Sequence, residues 1–189
     1  MVKRVLLLVF YYSGIIGTLA MLKPYMVDLG YTVKEIGVMS GIFGTSVAAG
    51  CTILGGLIQK KLGRHTALVI FAFVNLASAL WFVSMSMGTP GTAALYTGIA
   101  MLWGGYGLST VVIYTTSMDN VRPGYEGTDF TIQIVITHLS SLIFAVFSGK
   151  IGSLLGYTGL FGLETFFCLV AISIVFVVSN KNHNYASTR

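Results

Sequence analysis

The side chains best able to do chemistry lie on one stretch, Asp129 to Ser148, and they are not scattered around it. With Asp129 set at the origin of a helical wheel, Ser140, Gln133, Thr137, Ser148, Ser141 and His138 fall at roughly 20°, 40°, 80°, 100°, 120° and 180°. The rest of the wheel holds Ile132, Val135, Ile136, Leu139, Leu142, Ile143 and Val146. A polar group left in hydrocarbon costs several kcal/mol, so the apolar stripe should face lipid and the polar arc protein or a water-filled cavity. His138 changes charge near neutral pH and could carry a proton; a neutral imidazole bonded to a neighbouring helix fits equally well. Gln133 both donates and accepts, which suits a polar ligand or an interhelical bond. Asp129, at the mouth of the helix, could cap it or bind a cationic group.

Three further sets lie elsewhere. Lys23 follows Tyr12 by eleven positions, an offset of roughly 20° on a helix, so both could line the outer part of a cavity, unless Lys23 snorkels to the interface. Tyr96, Trp103, Gly107 and Tyr114 fall within roughly 40° of one stripe, offering aromatic faces to a ligand or to packing. Glu164 lies inside an apolar run, where an ionised carboxylate needs a partner or water; on a peripheral last helix its role would be structural, or it would snorkel to the interface. No nucleophile elbow, metal-binding helix motif, phosphate loop or dinucleotide fingerprint occurs, so neither an enzyme nor a cofactor or metal site is expected. Cys51 and Cys168 fall within apolar runs and lack metal-ligand spacing.

The elements that must position these residues are membrane helices. Charged residues are 9% of the chain and apolar ones 55%, against roughly 25% charged in soluble domains. About 20 apolar residues cross roughly 30 Å of hydrocarbon, and six runs qualify, at about 5–22, 35–58, 66–87, 92–116, 129–149 and 157–179. They form one domain over residues 1–180, followed by a short tail, 181–189. The first run should end at Pro24 and is expected to be retained, since no small-residue cleavage site precedes Lys23-Pro24. On the second, Gly37, Gly41, Gly44, Ala48, Ala49, Thr52, Gly55 and Gly56 invite close helix packing. Alternating the connections puts Lys3, Arg4, Lys60, Lys61, Arg64, Arg122, Lys181 and Arg189 on one side and Lys23, Lys34 and Lys150 on the other. That bias places both termini in the cytoplasm. The net charge of +5 belongs to helix ends, so no nucleic-acid partner is expected.

Between the second and third runs, Gly56-Leu57-Ile58-Gln59-Lys60-Lys61-Leu62-Gly63-Arg64-His65 resembles the signature loop of the major facilitator superfamily. That loop reads Gly, three residues, Asp, a basic residue, any residue, Gly, Arg and a basic residue; Gly56, Lys61, Gly63 and Arg64 match, while Lys60 replaces the Asp. The family uses the loop in an intracellular charge network. Without its acid, this one must find a partner elsewhere, such as Asp119 or Glu126, or serve as a plain topology anchor. The segment Asn120 to Gln133 is similar to the matching region of siderophore permeases for rhizobactin and pyochelin, with muropeptide and acetyl-coenzyme A permeases as relatives.

The resemblance implies an all-α integral membrane fold of six transmembrane helices in a 3+3 inverted repeat, half of a major facilitator fold. The basic entry and short tail match the carboxy-terminal half. It also implies secondary active transport in a bacterial inner membrane: proton-coupled import of a bulky polar solute such as a siderophore or peptide-like compound. One half cannot enclose a central path, so a second six-helix half, as a separate chain or a homodimer, would be needed. Asp129 and Gln133 sit at the motif's positions. Two rivals stand beside this reading, a non-transporting six-helix scaffold and a truncated, inactive permease.

Overall fold

In the computed structural model the backbone is described for residues 2–186 and the side chains for residues 6–177, so the charges at Lys3, Arg4, Lys181 and Arg189 lie outside the described side chains. Helices α1 (Val2–Phe10) and α2 (Ser13–Asp28) meet at a turn, Tyr11-Tyr12, which is pinned because Tyr11 Oη donates to the Leu68 carbonyl at 3.0 Å. Contrary to the expected stop at Pro24, α2 continues to Asp28. Proline removes one N–H and crowds the preceding turn, but membrane helices tolerate this where neighbours enclose it. Tyr25 and Met26, immediately after it, are buried.

Helix α3 (Val33–Ile36) starts at a capping box in which Thr32 and Glu35 satisfy each other's backbone N–H groups. It runs through a π-helical stretch, Gly37–Gly44, into α4 (Thr45–Leu62). Gly63, at φ 82°, turns the chain into α5 (Arg64–Ser86), and α6 (Thr92–Met118) follows. The last helical stretch, α7 (Glu126–Ala186), is interrupted at Gly156 (φ 68°, ψ −178°), a conformation essentially confined to glycine. Its two arms fold back on each other: Ser148 bonds Glu164, and the Phe144 and Phe167 rings lie 5.2 Å apart.

Four stretches among the described residues are long and apolar enough to cross a membrane: Leu6–Asp28, Val33–Leu62, Arg64–Ser86 and Glu126–Val177. The last has 52 residues, far beyond the roughly 20 one crossing needs, and the break at Gly156 lies within it. The 27-residue α6 is not among the four; its apolar positions alternate with Gly, Ser, Thr and Tyr. Expected and observed ends differ mostly by helices running longer, as with 129–149 against an arm that begins at Glu126.

The core joins α2, α5, α6 and the second arm of α7 through fully buried Ile15, Leu22, Phe71, Phe82, Ile99 and Phe161. The continuous helix from α3 through the π-helical stretch to α4 packs on α6 and leaves much of its surface bare, with Ile42, Ile53 and Leu54 exposed. Its small residues therefore split by face. Gly44 seats against the Trp103 indole and Gly55 against Leu108 and Val111, whereas Gly37, Gly41 and Gly50 have open space beside them. Close packing from the small-residue pattern holds on the α6 side and not at Gly41.

Candidate functional site

A narrow cleft opens between α2, α6 and the first arm of α7, on the face where the sequence places its polar arc. Tyr12 lines it from the turn before α2 and Ile16 from α2, Tyr106 and Tyr114 from α6, and Thr137, His138 and Ser141 from α7. The break at Tyr11-Tyr12 sets the direction of the Tyr12 ring, which is buried 6.0 Å from the Tyr106 ring. Trp103 continues the aromatic wall, 6.0 Å beyond Tyr106. Tyr114 Oη and His138 Nε2 share a hydrogen bond of 3.2 Å across the α6–α7 seam. Thr137 and Ser141 donate to backbone carbonyls of their own helix, at 3.0 and 2.8 Å, which leaves their oxygen lone pairs free to accept. The described cleft holds about 40 Å³. At roughly 10–15 Å³ for each water, that is room for a few waters and not for a bulky solute.

The expected lipid stripe is exposed at Ile132, Val135, Leu139, Leu142, Ile143 and Val146, while Ile136 leans onto the core. The other proposed site residues are held apart from the cleft. Asp129 is engaged by Arg122, which donates to it from Nε at 2.9 Å, from a terminal nitrogen at 2.8 Å and from its backbone N–H at 2.9 Å. The carboxylate in turn raises the Arg122 pKa further above its ordinary value. Gln133 donates to the Ser117 carbonyl at 3.2 Å and so bridges α7 to α6. Lys23 is exposed near the far end of α2, away from this cleft. A second, open pocket of about 520 Å³ lies between the start of α3 and α6, lined by Tyr31, Thr32, Lys34, Glu35, Thr92 and Tyr96, among others.

At the basic loop, Arg64 pairs with Asp119 at the end of α6. Of the acids available to replace the one missing at position 60, Asp119 is the partner in this structure. Lys60 and Lys61 are exposed in the last turn of α4, where cations suit the carbonyl end of the helix. Gly63 supplies the turn between them and Arg64. Gln59, buried one residue earlier, donates to Thr115 at 2.6 Å and ties the loop to α6.

Glu164 is the residue sequence reasoning ranked too low. On the expected peripheral helix it would reach the interface, yet it is fully buried where α2 meets both arms of α7. Ser148 Oγ donates to its Oε1, and its Oε2 has no partner. The signal lay in Gly14 and Gly17, whose missing side chains leave the space that Cys168 and Glu164 occupy. No three His, Cys, Asp or Glu side chains among the described residues gather as a metal site.

Residues 1–144 match the family model described as the Major Facilitator Superfamily. Among curated proteins, the chain is 22% identical over 182 residues to "Putative transporter AmpG 4" of Rickettsia felis, covering 95% of this chain and 44% of that protein. It is 26% identical over 189 residues to "Putative transporter AmpG 3" of Rickettsia typhi, covering 96% and 44%. The chain thus spans less than half the length of the curated relatives it matches.

Proposed function

The chain belongs to the Major Facilitator Superfamily, and on that premise we propose that it works as one half of an alternating-access transporter. In this reading the half would make six crossings in a 3+3 arrangement, the last two separated at the Gly156 break. Solute sites in this class lie near the bilayer midplane between repeats or halves. The observation that carries the proposal is the cleft of Tyr12, Tyr106, Tyr114, Thr137 and His138: a polar and aromatic wall in an apolar bundle, with too little volume to enclose a solute by itself. A second half, from another chain or a second copy, would complete the chamber. The basic side, with Lys60, Lys61, Arg64 and Arg122, would face the cytoplasm of a bacterial inner membrane.

The solute we propose is bulky and polar, and its import is driven by protons. Relatives named AmpG favour the muropeptide-permease resemblance over the siderophore one. Aromatic rings suit the apolar faces of sugar rings, and His138 with the free lone pairs of Thr137 suits hydroxyl and amide groups. The test is uptake of a radiolabelled muropeptide into vesicles carrying the chain, alone and with a second six-helix half supplied. Accumulation should follow an inward proton gradient, collapse with an ionophore, and fall at least tenfold in His138→Ala and Tyr114→Phe. Absence of uptake in every arrangement would overturn the reading.

A further inference from the structure

The carboxyl of Glu164 has no role in the cleft, and its surroundings are unusual for an acid. It is 0% exposed, with Oε1 bonded to Ser148 and Oε2 bare. Neither ion pair found among the described residues involves it. An ionised carboxylate so placed forfeits several kcal/mol unless a cation or a full set of donors compensates, and a proton on Oε2 removes that charge. The groups facing it are few. Helix α2 presents Gly14 and Gly17, the first arm of α7 presents Ser148, and Cys168, one turn along its own arm, is the other titratable group beside it. The space is shaped for the acid: a Cβ on Gly17 would meet both the Glu164 carboxyl and the Ser148 hydroxyl.

This pocket is in register with the cleft. Ser148 follows Ser141 by seven residues, two turns along the same stripe and roughly 10 Å deeper, and Gly17 follows Ile16, which lines the cleft. The first arm of α7 therefore carries Ser141 at the cleft and, two turns nearer Gly156, the Ser148 that bonds Glu164 on the second arm. The other five acids of the chain, Asp28, Glu35, Asp119, Glu126 and Asp129, sit at helix ends or in links.

We infer that Glu164, anchored by Ser148 in the space left by Gly17, is an internal proton-binding site that takes up and releases a proton through the cleft. The assignment of that proton to transport rests on the transporter reading above; the binding site itself does not. In the bound state a proton sits on Oε2; on release it passes toward water in the cleft, leaving a carboxylate that keeps the Ser148 hydrogen bond.

The test is infrared spectroscopy of the full chain in lipid, following the carbonyl stretch of a protonated carboxylic acid. The wild type should show this band at neutral pH and lose it reversibly on alkaline titration, Glu164→Gln should lack it, and Ser148→Ala should shift its titration. No band at neutral pH, a band that persists in Glu164→Gln, or one unchanged by titration of the folded protein would overturn the inference. Vesicle uptake of labelled muropeptide then separates the two claims. Glu164→Gln should lose gradient-driven accumulation at least tenfold while retaining exchange of label across equilibrated vesicles, and undiminished accumulation would overturn the assignment of this proton to transport. A wild type that accumulates the probe regardless of pH would sink the coupling, with the infrared result still deciding the site.

Discussion

Gly107 and Gly41 are both glycines in exposed-to-buried helical stretches, and the structure gives them opposite fates. A Cβ on Gly107 would collide with the Ala48 carbonyl and stand 3.0 Å from Thr52 Oγ1, whereas nothing lies within 4 Å of one on Gly41. The Ala48 contact is backbone, so relief requires α4 and α6 to move apart, and overpacking of this kind costs roughly 1–3 kcal/mol. Separation also weakens the bond from Thr52 to the Gly107 carbonyl, 3.3 Å long. Alanine in place of glycine returns roughly 0.5–1 kcal/mol of helix stability. Gly107→Ala should therefore lose up to about 2.5 kcal/mol net, while Gly41→Ala should gain up to about 1. For a chain of this size each kcal/mol moves the melting point by roughly 2–4 °C, so the two variants should shift it in opposite directions. Melting followed by tryptophan fluorescence in detergent, at a dilution where the chain is monomeric, gives the comparison. A loss in Gly41→Ala as large as in Gly107→Ala would refute the assignment of one packed and one open face to the helix that runs from α3 through α4.

Two further outcomes follow from single residues. Arg64→Glu should change stability by less than about 1 kcal/mol, since the pair with Asp119 is partly exposed; adding Asp119→Lys should restore the wild-type melting point, and failure of the double swap to recover it would dismiss the pair. Gly156→Ala should cost roughly 1–3 kcal/mol because φ 68° with ψ −178° excludes a Cβ, while Gly162→Ala, with open space beside it, should gain up to about 1 kcal/mol in the same melt.

What was legible in the sequence followed from periodicity and turn chemistry. The polar arc of α7 and its lipid stripe repeat every 3.6 residues, and the structure buries Thr137, Ser140 and Ser148 while exposing Leu139, Leu142 and Val146. The acid that answers Arg64 could be narrowed to the nearby links because charges are scarce, and Asp119 takes that place. Pro24 misled because a rule for soluble helix interiors was applied where neighbouring helices enclose the chain. Asp129 and Gln133 were readable as polar and inward, but their partners were not: Arg122 lies seven residues back across a turn, and Ser117 on another helix. Such contacts depend on how α6 and α7 cross, which a one-dimensional wheel does not contain.

Glu164 marks the same boundary from the other side. Its own helix offers no polar arc to announce it, and judged by that arm alone a solvated or interfacial carboxylate is reasonable. Burial came from two other segments. Small residues at Gly14 and Gly17 let α2 approach, and Ser148, eight residues before Gly156 as Glu164 is eight after it, is brought opposite by the hairpin. The inference is therefore a pairwise one: a glycine on one membrane helix and an acid on another acquire meaning only once the turn between the arms is known. The same logic applies to the cleft, where Tyr114 and His138 become a pair through the α6–α7 crossing. Chemistry in this bundle is assembled at helix seams, and residue type along a single helix is a guide to which side faces a seam rather than to what waits across it.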